Sequence, residues 1–303
     1  MLPTAQELFL NSSQGLSDRS ASQDLLEEKF FYSIELSNGT HKRTWAGRLD
    51  DVDQVLLAVF RKFDVTPKTF LDVAVSSGVS TVSWCDALRQ AGLRPSMTAT
   101  DLTMTAYLIR LHDWLHVLVD KEGFPLQYDV CGYAWRPRCR IRLYPLGNGA
   151  LTVLWDVLYR KTAGKYDLLA RLKSLGLTTP AVGDPLIKAE IKLVTRRLRD
   201  NPDIELLDDD ILAPTPAHLQ RRFEVIRAAN ILNRGYFSKE QLRTAVTHLR
   251  DRLVGDGSFF LVVRTDETAT NNGTLFLLNA DGTFRVVDRI GAGSEIEDIV
   301  LSL

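Results

Sequence analysis

Phe70-Leu71-Asp72-Val73-Ala74-Val75-Ser76-Ser77-Gly78-Val79-Ser80 opens as an apolar run and dissolves into small residues before a helix-compatible segment starts. The pattern reads as a buried strand, a tight turn and the first turn of a helix. About two dozen residues further on, Met97-Thr98-Ala99-Thr100-Asp101-Leu102 reads as a second strand that closes on a carboxylate. A strand, a small-residue turn, a helix and an acid-ended second strand form a half-site for a nucleoside-bearing cofactor. The turn lets backbone N–H groups approach the ligand, and the acid reaches ribose hydroxyls.

The flanking segments extend this architecture. Asp51 to Phe63 carries Val52, Val55, Leu56, Val59 and Phe60 at one-faced helical spacing, and Ser80 to Ala91 forms the helix after the turn, ended by Gly92. Ile204-Glu205-Leu206-Leu207-Asp208-Asp209-Asp210-Ile211 and Phe223 through Leu232 read as further strands. Leu249 through Val263 holds the end of a helix, a Gly255-Asp256-Gly257 turn and another strand. At the end of the chain, Thr274 to Leu278 and Thr283 to Val287 flank Asn279-Ala280-Asp281-Gly282, which has hairpin turn chemistry.

In this order the segments resemble the class I S-adenosylmethionine (SAM)-dependent methyltransferases, over roughly residues 50 to 110 and 186 to 290. Asp72 to Gly78 resembles the first motif, with Ala74 and Ser76 where glycines are usual and Gly78 matching. The C-terminal stretch looks most like chemotaxis-receptor-type members. The resemblance implies an α/β, Rossmann-like, mostly parallel seven-stranded sheet with helices on both faces. An antiparallel terminal hairpin and a large insertion after the second strand complete the expected fold. SAM is the implied cofactor. Asp72 would hold the turn and the methionine ammonium, with Ala74, Ser76 and Gly78 beside the cofactor and Asp101 on the ribose. Leu102 follows that acid. Asp210 and Ile211 would flank the adenine, although Asp208 and Asp209 offer competing registers, and Ala229 lies where methyl and acceptor meet. Asn230 or Asn233 would orient the acceptor or the ammonium, and Tyr236 would cover the site; turn-capping asparagines and a packing tyrosine are the plain alternatives.

Residues 104 to 200 fall where the resemblance lapses. One helix with short loops would suffice there, so nearly a hundred residues constitute an insertion. It carries 16 Lys/Arg against 9 Asp/Glu, a balance of +7, which leaves −8 for the rest of a chain of net charge −1. We expect residues 1–45 to be a loosely ordered arm with one helix near Gln23 to Tyr32. Residues 46–303 would form the methyltransferase-like domain, with 104–200 as its substrate cap. Within the cap, Trp114 to Val119 and Leu126 to Val130 read as a hairpin. A strand over Trp135 to Leu143 would place Arg136, Arg138, Arg140 and Arg142 on one face as substrate contacts. Pro185 to Arg199 reads as a helix with Lys188, Lys192, Arg196 and Arg199 in a second basic stripe. Leu151, Leu154, Trp155 and Leu158 share a helix face, as do Leu168, Leu169 and Leu172.

Composition sets the class. With 303 residues, 45% hydrophobic and 25% charged, the chain has ordinary globular usage. Cys85, Cys131 and Cys139 lack metal-ligand or disulfide spacing, which suggests a reducing, cytoplasmic setting. The N-terminus lacks signal-peptide character, and no apolar run spans a bilayer, so membrane contact would be peripheral. No metal site is expected: His112 and His116, four apart on an expected helix, lack a third ligand, and His116 is a candidate general base. The expected acceptor is a small molecule, lipid-like compound or protein, anionic rather than nucleic acid, because the basic stripes lack interleaved aromatics. A non-catalytic SAM-binding module on the same fold is the second reading. A nicotinamide dehydrogenase is third, because no GxGxxG follows the first strand.

Overall fold

The computed structural model describes residues 2–10, 21–34, 36, 42, 45–137, 146–175 and 184–303. The chain divides into two compact units, Thr44–Met104 with Val194–Leu303 and Met1–Arg43 with Thr105–Leu193.

The first unit is built on a seven-stranded sheet. β1 (Thr69–Val73), β2 (Ser96–Asp101), β8 (Ile204–Asp208), β9 (Val225–Ala229) and β10 (Phe259–Thr265) run parallel, while β11 (Asn271–Leu278) and β12 (Phe284–Ile290) add an antiparallel edge. The spatial order is β12-β11-β10-β9-β1-β2-β8. A mostly parallel sheet must be covered on both faces. One face receives α3 (Asp50–Lys62) and α4 (Val79–Gln90), through Val52, Leu56, Phe60, Trp84 and Leu88. The other receives α8 (Lys239–Arg252) and α9 (Glu297–Val300), through Leu242, Val246, Leu249 and Ile299. Ser238 and Gln241 close a reciprocal capping box at the start of α8, satisfying two orphan donors. From β1 the chain passes to β2 on one side, whereas β8 leads to β9 on the other. The order therefore reverses between β1 and β9, the place where open α/β sheets bind ligands at their carboxyl ends.

The second unit carries an antiparallel sheet in the order β6-β5-β4-β3-β7. Its strands are β3 (Thr105–His112), β4 (Leu115–Asp120), β5 (Pro125–Val130), β6 (Tyr133–Trp135) and β7 (Ile187–Lys192). Helices α1 (Ala5–Phe9) and α2 (Ala21–Ser33) cover one face, where Leu8, Phe30, Phe31 and Ile34 pack on Leu108, Leu118, Leu126 and Ile191. Helices α5 (Leu146–Lys165) and α6 (Leu168–Leu175) cover the other through Trp155, Tyr159, Leu168 and Leu172.

Several expectations are corrected here. The described parts of residues 1–45 are not a loose arm: Phe30 and Ile34 are fully buried, because one face of the antiparallel sheet needs an apolar cover and these helices supply it. Pro185 to Arg199 is not one helix but β7 followed by the short α7 (Arg196–Arg199). Ile187 and Ile191 fit either period, and pairing with the open edge of β3 decides for the strand. The stripe from Lys188 to Arg199 is thereby dissolved. His112 and His116 lie on β3 and β4, not on a helix, because Asp113-Trp114 turns the chain back on itself. The third hairpin strand ends at Trp135, and Arg138, Arg140 and Arg142 lie outside the described residues. The strand begun at Ile204 ends at Asp208, short of Ile211.

If the N-terminal helices belong to the core, Phe30→Ala should destabilise the second unit by about 3–5 kcal/mol, the usual range for a buried aromatic truncation. Urea unfolding with unchanged stability would return the segment to a dispensable arm.

Candidate functional site

The turn after β1 has an unusual backbone. Ala74, Ser76 and Gly78 all adopt left-handed conformations, at φ of 57°, 60° and 84°. A non-glycine residue pays roughly 1–2 kcal/mol for that region, so the turn is held by its surroundings rather than chosen by its residues. The Ser76 N–H donates to Asp101 Oδ2 at 2.7 Å, and the Val75 N–H donates to the Thr100 carbonyl at 3.0 Å. The other Asp101 oxygen accepts from the Thr103 N–H at 3.1 Å. Gly78 caps α4, and a Cβ there would sit 2.1 Å from Leu198 Cδ2, so glycine is required twice over.

Beneath the turn, Asp72 faces away from solvent. Arg227 on β9, fully buried, donates from Nε to Asp72 Oδ1 at 3.0 Å and from Nη2 to Asp72 Oδ2 at 2.7 Å. Its Nη1 reaches Asp53 Oδ1 on α3 at 2.9 Å, and Nη2 also reaches the Ser80 carbonyl at 3.1 Å. The Thr81 hydroxyl donates to Asp72 Oδ2 at 2.7 Å, and the guanidinium lies 4.1 Å from the Trp84 ring centroid. Two buried carboxylates thus share one cation. Burial, reinforced by the nearby Asp72 charge and opposed by Arg227, pushes the Asp53 carboxyl up to about 7.

The end of β9 is fixed by a chain of polar contacts. Asn230, left-handed at φ 60°, accepts the Thr265 N–H at 2.7 Å through Oδ1. The Thr265 hydroxyl donates to Asn271 Oδ1 at 2.8 Å. Asn271 Nδ2 in turn reaches the Arg48 carbonyl at 2.8 Å and Asp51 Oδ1 at 2.6 Å. Asn233 Oδ1 accepts the N–H groups of Gly235 and Tyr236, both at 3.0 Å, and shapes the turn into α8. Tyr236 is 60% exposed. The two asparagines therefore build backbone, and their adjacency to the β1–β9 reversal is a matter of position.

Leu102 stands exposed after Asp101, an apolar side chain beside the half-site acid. The acidic run resolves into three roles. Asp208 Oδ1 accepts the Met104 N–H, Asp209 pairs bidentately with buried Arg252 at 2.6 and 3.1 Å, and exposed Asp210 accepts the Leu212 N–H. Ile211 and Ala229 are buried. Asp72, Ala74, Ser76, Gly78, Asp101, Leu102, Ala229 and Asn230 thus gather at the carboxyl ends of β1, β2 and β9. His116 belongs to the other unit, on β4, where burial, with Lys188 nearby, lowers its pKa and disfavours the imidazolium. Arg136 is also in that unit, exposed and 5.8 Å from the Tyr32 ring. Among the described residues no cluster of metal-ligating side chains occurs, and no helix is long and apolar enough to cross a membrane. A depression of about 520 Å³ lined by Arg89, Met97, Asp203 and Arg222 lies at the amino ends of β2 and β8, the wrong end for ligand binding in this architecture.

Arg227, Asp53, Arg48 and Asn271 were absent from the sequence-derived candidates. An arginine inside the apolar run Val225-Ile226-Arg227-Ala228-Ala229 was the available signal, since a buried charge demands a partner.

No family model and no curated protein matches the chain. Among solved structures, the chain is similar to the N-methyltransferase NodS from Bradyrhizobium japonicum WM9 in complex with S-adenosyl-L-homocysteine: 12% identity, TM-score 0.31, 74% of this chain and 66% of that one. The CMeT domain of the citrinin polyketide synthase gives 12% identity and TM-score 0.33 over 71% of this chain and 35% of that one. The plantazolicin methyltransferase BpumL, in complex with a monoazolic desmethylPZN analog and S-adenosyl-L-homocysteine, gives 10% and 0.33 over 73% and 48%. A chain described as a putative Zn-dependent alcohol dehydrogenase from Rhodobacter sphaeroides also matches, at 14% and 0.28 over 69% and 45%. The chain spans about a third to two thirds of the length of these structures. The functional reading rests on the site itself.

The Asp53 carboxyl titrates higher in the folded chain than in the unfolded one, so its contribution favours folding in acid. That contribution is complete below about pH 4 and is lost as pH rises through about 7. The loss amounts to at most about 4 kcal/mol. Asp53→Asn should flatten the fall in stability between pH 5 and pH 8, measured by urea titration at each pH. An unchanged slope would show that Asp53 stays ionised throughout.

Proposed function

We propose that this chain binds SAM across the carboxyl ends of β1, β2 and β9 and transfers its methyl group to an O or N of an anionic or amphiphilic acceptor. The observation that carries the reading is the turn at Ala74–Gly78, bent three times into left-handed backbone at the strand-order reversal and braced by the Asp101 carboxylate. Such strain persists where close approach of a ligand to backbone is needed. The ordered motif resemblance from Asp72 to Val263 identifies that ligand as SAM rather than a dinucleotide.

The chemistry asks little of the protein. The sulfonium already makes the methyl carbon electrophilic, so the acceptor's lone pair forms the new bond as the C–S bond breaks and its electrons return to sulfur. S-adenosylhomocysteine leaves, and the acceptor loses a proton to solvent or a nearby base. What the site must supply is alignment. In this reading Asp101 would receive ribose hydroxyls, Leu102 would pack on the base, and Ala74, Ser76 and Gly78 would admit the amino-acid portion. Asp72 is occupied by Arg227, so its part is to hold the turn from below rather than to meet the methionine ammonium. The +7 balance of residues 104–200 favours an anionic acceptor.

The second reading, a SAM-binding module without turnover, is favoured by one feature: the amides of Asn230 and Asn233 are engaged within the protein. Calorimetry and methyl transfer separate the readings. S-adenosylhomocysteine should bind and raise Tm by mass action, and Asp101→Ala should weaken binding by roughly 1–3 kcal/mol. Labelled methyl should move from SAM to a component of the native extract. Absence of heat for SAM and S-adenosylhomocysteine at millimolar ligand would sink both readings; tight binding without transfer to any fraction would select the module.

A further inference from the structure

The loop Trp45–Leu49, which leads into α3, contains a cation that no carboxylate contacts among the described residues. Arg48 is only partly exposed, and its Nε is buried without a hydrogen-bond partner. Among the described residues its guanidinium meets neither a carboxylate nor a carbonyl; its neighbour is the Trp45 ring, 5.4 Å from the guanidinium carbon. The buried acids of this region are engaged elsewhere. Asp72 and Asp53 are held by Arg227, and Asp51 is held by Asn271. Burial and repulsion from Arg227 both work against the Arg48 charge, only partly offset by Asp72. An arginine stays ionised nonetheless. A partly desolvated guanidinium with no carboxylate in contact is costly, and an anion bound directly to it lowers that cost.

Its position says where such an anion would lie. The Arg48 carbonyl accepts from Asn271 Nδ2, which places this backbone in the polar chain running through Thr265 to Asn230 at the end of β9. Its charge interacts with Asp72 and Arg227, the facing pair on β1 and β9. Arg48 therefore stands at the carboxyl edge of the sheet, with its backbone at the end of β10 and its charge within range of the Asp72–Arg227 pair. The planar fork of a guanidinium suits a carboxylate in a two-point contact.

We propose that Arg48 is the anion anchor of this site and binds the α-carboxylate at the amino-acid end of the cofactor. The proposal rests on the SAM reading and adds a residue and a ligand group to it. In this arrangement Asp101 and Arg48 grip opposite ends of the ligand, and the turn at Ala74–Gly78 lies between them.

The test compares two ligands that share a nucleoside and differ at the far end. S-adenosylhomocysteine carries the carboxylate; 5′-methylthioadenosine lacks the whole amino-acid portion. Titration calorimetry is performed on the full chain and on Arg48→Met, which keeps the aliphatic stem but removes the charge. We expect Arg48→Met to weaken S-adenosylhomocysteine tenfold or more, to leave 5′-methylthioadenosine within a factor of two, and to reduce the salt dependence of S-adenosylhomocysteine binding. Arg48→Lys should recover part of the loss, and it supplies the same comparison if Arg48→Met does not fold. Unchanged S-adenosylhomocysteine affinity in the variant overturns the anchor while leaving the SAM reading intact. Equal weakening of both ligands also overturns it and makes Arg48 a packing residue. Failure of the unaltered chain to bind either ligand removes the SAM reading and the anchor with it.

Discussion

The contact on which the unit of the parallel sheet depends is the fully buried guanidinium of Arg227. It sits on β9, pairs in two places with Asp72 on β1, reaches Asp53 on α3 and the Ser80 carbonyl on α4, and stacks over Trp84. One side chain thus ties two neighbouring strands to both helices on that face. Removing one partner of such a buried set leaves a charge without compensation, at about 3–5 kcal/mol. An apolar side chain would fill the volume but would not orient anything. Arg227 does so, because two parallel N–H donors fix the plane of the Asp72 carboxylate two residues before the chain leaves the sheet at Ala74.

The strain stored at Ala74 and Ser76 is intelligible on that footing. The turn is gripped from beneath through Asp72, from the side through Asp101, and from above by Leu198, whose Cδ2 fills the place a Gly78 side chain would need. A second set of contacts, Asn230 to Thr265 to Asn271 to Asp51, performs the same service for the end of β9. The two sets meet at the first turn of α3, where Asp51 answers one and Asp53 the other. The start of α3 is therefore a structural partner of both strand ends that flank the order reversal, and Arg48 occupies the loop immediately before it.

The sheet was legible in the sequence for a physical reason. Buried parallel strands are largely apolar, so Phe70–Val73, Val225–Ala229 and Phe259–Val263 announce themselves, Met97–Asp101 follows from its place after the first helix and its closing acid, and Asn279-Ala280-Asp281-Gly282 marks the terminal hairpin. The second unit was less so. Ile187 and Ile191 lie four apart and satisfy both periods, and only the unpaired edge of β3 chose the strand. The N-terminal helices looked dispensable because their partner surface, the antiparallel sheet, begins some seventy residues later in the chain, at Thr105. At the site, the acids could be named, but not their duties. Asp72 and Arg227 are 155 residues apart, and nothing local to Asp72 says that its carboxylate turns inward. Likewise, three consecutive acids at Asp208–Asp210 look equivalent in sequence, whereas the fold gives Asp209 a buried arginine and leaves Asp210 in solvent.

Charge balance around Arg227 links these observations. With Asp53 and Asp72 ionised, they match Arg227 and Arg48 and the four-charge set is neutral. Arg48 cannot shed its proton at ordinary pH, so a ligand carboxylate beside it would bring the set to −1 unless a proton entered. Asp53 is the member able to take that proton, because burial already holds its carboxyl at about 7. Asp72 supports the turn from beneath through its two bonds to Arg227. The division of labour between the two acids follows from bond count: Asp53 accepts one guanidinium N–H, whereas Asp72 accepts two together with the Thr81 hydroxyl. A single buried arginine with unequal partners thus gives the crevice a rigid turn, and would leave Asp53 to adjust the charge if an anion bound at Arg48.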